Sequence, residues 1–252
     1  MLNSNENGFS EIIRARIVCA SKILAIKFYN MTRGPPIPKL LVSRLHCIRR
    51  GQMVLHDINM TLHDGGAMIL TGPNGSGKTT FLRVLAGFIK PSAGYLLWNG
   101  HDVTKSSIYE LYKLELHWMG LKDAIKNKLS VLDNVEFWET LERKSGKSCK
   151  ALEFMGLGHV MKEPAQVLSV GQRKRLQLAR LLAIPRPIWL LDEPSVGLDR
   201  EGVKLLEYIM AEHRRKGGIV FVATHIPIKL EDAMNIQFPP RTPKSKTLID
   251  LM

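Results

Sequence analysis

The sequence predicts an α/β fold with a mostly parallel sheet that helices cover on both faces. Three short apolar segments predict buried strands: Ala67–Thr71, residues 188–191 and Ile219–Ala223. Segments with helical spacing of apolar residues follow at 78–86 and 201–216. Apolar strands that alternate with amphipathic helices are typical of a parallel sheet buried between two layers of helices.

The remaining chain divides into a body and two ends. Within a body that spans 39–238, residues 121–166 lack strand patterns and predict an inserted α-helical subdomain. The C-terminal residues 239–252 are rich in Pro and Lys and predict a loose tail. Residues 1–38 form an N-terminal extension that mixes basic and apolar residues, and three interpretations stay open for it. It could be a targeting segment, an ordinary amphipathic extension, or sequence upstream of an alternative start at Met31.

The composition narrows the class of partner. Lys and Arg outnumber Asp and Glu by 36 to 23, for a formal net charge of +13, which attracts polyanions such as nucleotides, nucleic acids or anionic membranes. The three cysteines, Cys19, Cys47 and Cys149, contain no CxxC pair, so we expect neither a disulfide framework nor a zinc site. No apolar run approaches the ~20 residues of a membrane span. If the protein works at a membrane, we expect another chain to cross it.

The segment GPNGSGKT after the first predicted strand predicts a phosphate-binding loop, because it fits G-x-x-x-x-G-K-[ST] between a strand and a helix. Glycines let several backbone N–H groups converge on an anion at the positive end of a helix. We expect Lys78 to reach the β- and γ-phosphates of ATP and Thr79 to bind Mg²⁺. The predicted ATP-binding residues of this loop are Gly72, Pro73, Asn74, Gly75, Ser76, Gly77, Lys78, Thr79 and Thr80.

Acidic residues and a histidine follow the other two predicted strands. Asp192 and Glu193 end the second strand, where open α/β sheets bind their ligands. We expect Asp192 to hold Mg²⁺ and Glu193 to act as the catalytic base for the attacking water. His225 follows the third strand, and we expect it to contact the γ-phosphate as a second catalytic residue.

The segment LSVGQRKRLQLARLL, residues 168–182, places basic residues directly behind a Ser-Val-Gly turn. Ser169 can cap the helix that follows, and the N-terminal dipole of that helix favours an anion. Arg173, Lys174 and Arg175 are expected to reinforce this field. Aromatic residues that would stack on bases are not interleaved with the charges, which disfavours a nucleic-acid partner.

Five motifs in this order and spacing resemble those of the ATP-binding cassette (ABC) proteins: residues 72–79, LSVGQ at 168–172, DEP at 192–194, GLD at 197–199 and His225. The resemblance implies an ABC-type P-loop NTPase with a mostly parallel core, an N-terminal antiparallel β portion and an inserted helical subdomain. It also implies that two copies dimerise around ATP. The signature residues Ser169, Val170, Gly171 and Gln172 would contact the partner's ATP, and Asp199 would lie in the D-loop.

Two positions depart from the pattern of the family. An aromatic residue usually stacks on the adenine, and Arg49 occupies the matching position, where a guanidinium plane could also stack on the base. A Gln usually opens the helical subdomain near Mg²⁺, and the matching residue is Lys122. A cation cannot bind Mg²⁺, so Lys122 could contact a phosphate instead, or Asp123 could take over the metal.

Within the family, the segments 70–100, 168–199 and 216–228 resemble the ATP-binding subunits of cytochrome c maturation systems of the CcmA type, especially the plant mitochondrial version. This implies a heme-transporting translocase ATPase with an integral membrane partner of the CcmB kind. It also implies a peripheral location on the matrix face of the mitochondrial inner membrane, or on the cytoplasmic face of another membrane. The alternatives are an ABC ATPase subunit for another cargo and a soluble ABC ATPase that is not involved in transport.

Overall fold

The computed structural model describes residues 37–143 and 146–240. The interpretations of the N-terminal extension, of a start at Met31 and of most of the tail therefore concern chain outside the described residues. The compact unit that begins at Lys39 carries every element discussed below.

The described residues form nine strands and six α-helices, joined in part by short 3₁₀ turns. The strands are β1 Leu40–Arg49, β2 Gln52–Leu62, β3 Ala67–Thr71, β4 Ala93–Trp98, β5 His101–Asp102, β6 Leu116–Met119, β7 Ile188–Asp192, β8 Ile219–Ala223 and β9 Met234–Gln237. The helices are α1 Lys78–Leu85, α2 Ser106–Tyr112, α3 Val131–Leu141, α4 Ser148–Phe154, α5 Val170–Ala183 and α6 Arg200–Arg215.

The strands form two sheets, which confirms the predicted fold class. An antiparallel sheet has the order β2-β1-β4-β5, and a parallel sheet has the order β6-β7-β8-β3-β9. The three strands predicted from their apolar runs lie next to one another at the centre of the parallel sheet. The flanking strands β6 and β9 were not predicted, because β6 carries His117 within four residues and β9 is largely exposed.

Both faces of the parallel sheet are buried. Along β8, Phe221 packs into a core shared with α1 and the antiparallel sheet, whereas Val220 and Val222 pack into a second core shared with α4, α5 and α6. This alternation explains why central strands read as continuous apolar runs instead of alternating with polar residues. The two cores hold the carboxyl ends of β3, β7 and β8 at one edge of the sheet.

The region between β6 and α5 is helical among its described residues. It contains α3, α4 and two 3₁₀ turns, and α3 and α4 pack against each other and against α5. Arg186 forms an ion pair with Glu142 at the end of α3 and also donates to the carbonyl of Leu116 in β6. These contacts connect the helical region to the edge of the parallel sheet. No helix in the described ranges combines the length and the apolar character needed to cross a bilayer.

Candidate functional site

The loop between β3 and α1 curls around the amino end of α1. Gly72 has φ 133° and Gly77 has φ 119°, which are backbone conformations that residues with a side chain rarely adopt. A Cβ at Gly72 would lie 2.4 Å from the carbonyl oxygen of Phe238, and one at Gly77 would lie 3.1 Å from that of Val54. The two glycines therefore allow the close packing that brings the loop and the first N–H groups of α1 together.

Lys78 lies inside the curl of this loop. It is 6% exposed, and its Nζ donates to the carbonyl oxygens of Gly72 at 2.6 Å and Pro73 at 3.1 Å. Ser76 is also buried, and its hydroxyl has no hydrogen-bond partner among the described residues. A buried hydroxyl without a partner costs free energy unless a ligand satisfies it. The positive end of α1, the ammonium and this hydroxyl together fit a phosphate group.

Thr79 and Asp192 meet at the carboxyl ends of β3 and β7. Thr79 Oγ1 donates to Asp192 Oδ2 at 2.8 Å, and Asp192 is 1% exposed. Burial raises the pKa of Asp192, and the hydrogen bond from Thr79 opposes that shift. A hydroxyl beside a carboxylate is an oxygen donor set of the kind that Mg²⁺ prefers. These two residues therefore fit a magnesium ion next to a phosphate.

Glu193 and His225 form a second pair beside this one. Glu193 Oε2 lies 2.8 Å from His225 Nδ1, and the Glu193 side chain is 11% exposed. The backbone of Glu193 has φ 51°, which is strained for a residue with a side chain, and its N–H donates to Ala223 of β8 at 2.8 Å. The neighbouring strands thus hold a carboxylate and an imidazole together beside the buried pair of Thr79 and Asp192.

One cavity of about 440 Å³ joins these groups. Its lining consists of Asn74, Gly75, Ser76, Gly77, Lys78, Thr79, Thr80, Leu121, Asp192, Glu193, Val196 and His225. Most of the predicted phosphate, metal and catalytic residues therefore face a common space. Gly72 and Pro73 take part through their carbonyl groups, which hold Lys78.

Lys122, which matches the position of the usual Gln, does not line the phosphate cavity. Leu121 lines the phosphate cavity, whereas Lys122 lines a different cavity between the parallel sheet and the helical region. Asp123, the alternative metal ligand, pairs with Arg173 at 3.0 Å. The chain after β6 has no regular structure to fix its register. Counting along the sequence could not decide which of the adjacent side chains faces the phosphates.

Arg49 ends β1 in the hairpin with β2, where it pairs with Gln52. It is exposed and is not part of the lining of the phosphate cavity. Strand β2 does approach the phosphate loop, because Val54 lies where a side chain at Gly77 would point. Contact between Arg49 and the adenine remains a prediction.

The signature segment lies outside the phosphate cavity of its own chain. Ser169 caps α5 through a reciprocal pair of hydrogen bonds with Gln172, at 3.2 Å and 2.9 Å. Val170 is 72% exposed, so the first turn of α5 faces outward. A Cβ added at Gly171 would lie 3.1 Å from the carbonyl oxygen of Gly197, so the backbone of Gly171 packs closely against that residue. The segment presents a capped helix terminus at the surface, where a ligand held by another chain could reach it.

The three basic residues after the signature are engaged inside the chain, which corrects the expectation that they reinforce the field at its tip. Arg173 donates to Asp123 at 3.0 Å, and Arg175 pairs with Asp199 at 3.0 Å. Asp199 also caps α6 by accepting from the N–H of Gly202 at 2.7 Å. Lys174 Nζ lies 3.5 Å from the carbonyl oxygen of Glu193. The first turns of α5 are thus connected to three loops around the phosphate site.

The chain is similar in sequence to ATP-binding proteins of ABC transporters. Residues 55–196 match the protein family described as ABC transporter. The chain is 64% identical over 220 residues to ABC transporter I family member 1 of Arabidopsis thaliana, covering 87% of this chain and 96% of the relative. It is 43% identical over 199 residues to the cytochrome c biogenesis ATP-binding export protein CcmA of Paramagnetospirillum magneticum, covering 77% of this chain and 91% of the relative.

Solved structures share the fold. The chain is similar to a putative ABC transporter ATP-binding protein from Pyrococcus furiosus, with a TM-score of 0.69 and 28% identity. The similarity covers 79% of this chain and 96% of that one.

Proposed function

Because this chain belongs to the ATP-binding proteins of the ABC transporter family, we propose that it hydrolyses ATP for a membrane complex that serves cytochrome c biogenesis. Members of this family bind and hydrolyse ATP, dimerise and work with membrane subunits. The observation that carries the proposal is the meeting of Thr79 with Asp192 and of Glu193 with His225 beside Lys78 in one cavity. A resemblance of motifs alone would not require these side chains to share a site.

The residues of the cavity have separate tasks in hydrolysis. Lys78 and the amino end of α1 bind the phosphate chain of ATP by charge and by N–H donors. Thr79 and Asp192 would hold Mg²⁺, which neutralises charge on the phosphates when it is bound. Glu193 accepts a proton from the attacking water, and His225, which contacts the carboxylate of Glu193, would bind the terminal phosphate. Preorganisation of these groups by three buried strands lowers the cost of reaching the transition state.

We propose that a second copy of the chain completes the site. In the signature segment, Ser169 and Val170 are exposed and Gly171 and Gln172 are half-buried, and none of the four lines the phosphate cavity of its own chain. Its capped helix terminus offers N–H groups and a hydroxyl to the γ-phosphate of an ATP held by the partner. ATP would then favour the closed dimer because both chains bind the same nucleotide, and hydrolysis would release it.

An apolar groove offers a place for the membrane subunit. A cavity of about 460 Å³ lies between β6 and the helical region, and Phe88 and Trp118 meet edge to face in its lining. Phe88 is 57% exposed and Leu114 is 48% exposed. Clustered exposed apolar side chains mark sites of protein association. We propose that an integral membrane subunit of the CcmB kind binds here, so that the chain associates peripherally with the membrane.

The relatives support the choice of pathway. The second relative described above carries the name of a cytochrome c biogenesis export protein. We propose that the complex handles heme for c-type cytochromes, and that it does so at the matrix face of the mitochondrial inner membrane. The chain supplies nucleotide chemistry to this process, and the membrane subunit would supply the route for the cargo.

A complementation experiment tests this function. Cells that lack the protein should lose covalently bound heme in their c-type cytochromes, as seen by heme staining of denaturing gels. Wild-type protein should restore the stain, and Glu193→Gln should not. The b-type cytochromes, measured by their absorption in native membranes, serve as the internal control, because their heme is not covalently attached. Normal c-type cytochromes in the deficient cells would indicate another cargo.

Fractionation tests the proposed location and partner. The protein should sediment with mitochondrial inner membranes and co-purify in detergent with a multi-span subunit. Leu114→Glu should weaken this association while leaving ATP binding intact, because Leu114 lines the apolar groove and not the phosphate cavity. Recovery of the wild-type protein free of membranes would instead favour a soluble ABC ATPase.

A further inference from the structure

We propose that Lys174 is a positioning residue for Glu193 and connects the signature helix to the catalytic site of the same chain. This inference rests on the proposed function, because it assigns a role in ATP hydrolysis to a residue that the motifs of the phosphate site do not include. Lys174 lies on α5, whereas Glu193 follows β7.

The position of Glu193 depends on a strained turn of the backbone. With φ at 51°, its peptide groups point in directions that an extended strand would not give them. Its N–H is held by Ala223, and its carbonyl oxygen accepts from the N–H of Val196 at 3.4 Å. The same carbonyl oxygen lies 3.5 Å from Lys174 Nζ. This distance is at the outer limit of a hydrogen bond, so the interaction is mainly between a charge and a dipole.

Lys174 is part-buried among carboxylates. Burial lowers the pKa of Lys174, and attraction to Asp123, Asp192 and Glu193 opposes that shift. A buried ammonium persists when neighbouring negative charges compensate for the loss of water. The cation is therefore held between the end of β7 and the loop after β6, where its charge favours the geometry in which Glu193 O points back toward α5.

The helix carries this contact to the signature. Lys174 lies five residues after Ser169, which is roughly 7.5 Å along the axis of a helix. Its neighbours on both sides make direct ion pairs, Arg173 with Asp123 and Arg175 with Asp199. These ion pairs join the first turns of α5 to the loops that carry Asp123 and Asp199. When the partner's ATP binds Ser169 and Gly171, the same helix fixes Glu193 in its own chain.

Glu193 is held from two directions in this arrangement. His225 contacts the carboxylate, and Lys174 contacts the backbone carbonyl of the same residue. The role of Lys174 is to orient the base and not to touch ATP, since Lys174 does not line the phosphate cavity. Its removal should therefore lower kcat and leave the KM for ATP nearly unchanged.

The test compares ATP hydrolysis and ATP binding in full-length wild type, Lys174→Met, Lys174→Arg and Lys204→Met. Met keeps the apolar length of the side chain and removes the charge. Arg restores the charge. Lys204, on α6, pairs with Glu201 at the surface and serves as the matched control. The thermal midpoint of each variant shows whether folding is intact.

We expect Lys174→Met to lower kcat by about 10-fold with little change in KM, because misorientation of a catalytic group by a fraction of an ångström is costly. Lys174→Arg should recover most of the loss, and Lys204→Met should match wild type. A normal kcat in Lys174→Met would overturn the inference. So would a loss that Arg does not rescue and that follows the thermal midpoint, since it would show a structural role only.

The two proposals fail in different ways. If wild type does not hydrolyse ATP above the background rate, the proposed function fails. If wild type and Glu193→Gln hydrolyse ATP at the same rate, Glu193 is not the base, and the role of Lys174 fails with it. If wild type is fast, Glu193→Gln is slow and Lys174→Met equals wild type, only the role of Lys174 fails.

Discussion

Thr79 Oγ1 donates a 2.8 Å hydrogen bond to Asp192 Oδ2 across 113 residues of sequence. Parallel strands make this contact possible, because β3 and β7 end at the same edge of one sheet, with β8 between them. The hydroxyl belongs to the first turn of helix α1, and the carboxylate ends a strand whose five residues are all buried. A phosphate loop and an acidic strand end thereby become two halves of one site for a nucleotide with its metal.

Glu193→Gln should lower ATP turnover by about 100-fold or more, because loss of a general base typically costs this much. The amide keeps the shape of the side chain but cannot accept the proton from water. ATP should stay bound, and gel filtration with ATP should show an accumulated dimer. Near-normal turnover would remove Glu193 from the role of base.

Lys78→Ala should weaken ATP binding by about 10- to 100-fold, since a hydrogen bond to a charged group is worth about 1.5–3 kcal/mol. The ammonium is the charge inside the phosphate loop, so its loss acts on binding as well as on turnover. Equilibrium binding of a fluorescent ATP analogue measures the effect. Lys90→Ala is the matched control, because Lys90 is exposed after α1 and lies outside the cavity lining. Equal affinity in the two variants would contradict the assignment of the loop.

Leu121→Gln should raise kcat for ATP, whereas Lys122→Gln should leave it within about twofold of wild type. The structure places Leu121, and not Lys122, in the cavity with Asp192 and Glu193. An amide at position 121 would add a polar group beside the attacking water. Steady-state rates of the two variants measured side by side decide the register. A larger effect at position 122 would show that the sequence count was right.

The protein should lose stability as the solution becomes mildly acidic. Burial lowers the pKa of His117 to about 3 and that of His213 to about 4. At pH values below the ordinary histidine pKa, the unfolded chain therefore binds protons that the folded chain does not bind. The stabilisation is present above that pKa and falls as pH falls. The loss is roughly 1 kcal/mol for each histidine from about pH 7.5 to about pH 5.5. Urea unfolding at these two pH values measures it, and replacing His117 by Gln should reduce the difference.

An unchanged unfolding free energy over this interval would contradict the burial of the two rings. The Nε2–H of His117 donates to the Ile184 carbonyl oxygen at 2.5 Å, and His213 stacks on Trp189 with ring centroids 3.9 Å apart. Protonation would place a charge in the buried contact of His117 and in the part-buried contact of His213.

The sequence predicted the central strands and the residues that lie at their ends. This was possible because a strand buried on both faces must be apolar, and because a phosphate loop requires glycines at fixed positions. The edge strands β6 and β9 carry polar residues, and their place in the sheet depends on tertiary pairing that no local pattern records.

The tertiary contacts of the charged residues could also not be predicted from the sequence. The basic run after the signature suggested a field for an anion, but Arg173 and Arg175 are paired with Asp123 and Asp199. Those partners lie 50 and 24 residues away in the sequence. Spacing along a helix shows which side chains lie near one another on its surface. It does not show which residues of a neighbouring loop contact those side chains.

A structure of Glu193→Gln with Mg²⁺ and ATP tests the central claim most directly. We expect two chains around two nucleotides, with each triphosphate held by Lys78 and Thr79 of one chain and by Ser169 and Gly171 of the other. A single chain that binds ATP while its Ser169 and Gly171 face only water, with no second chain docked there, would contradict it.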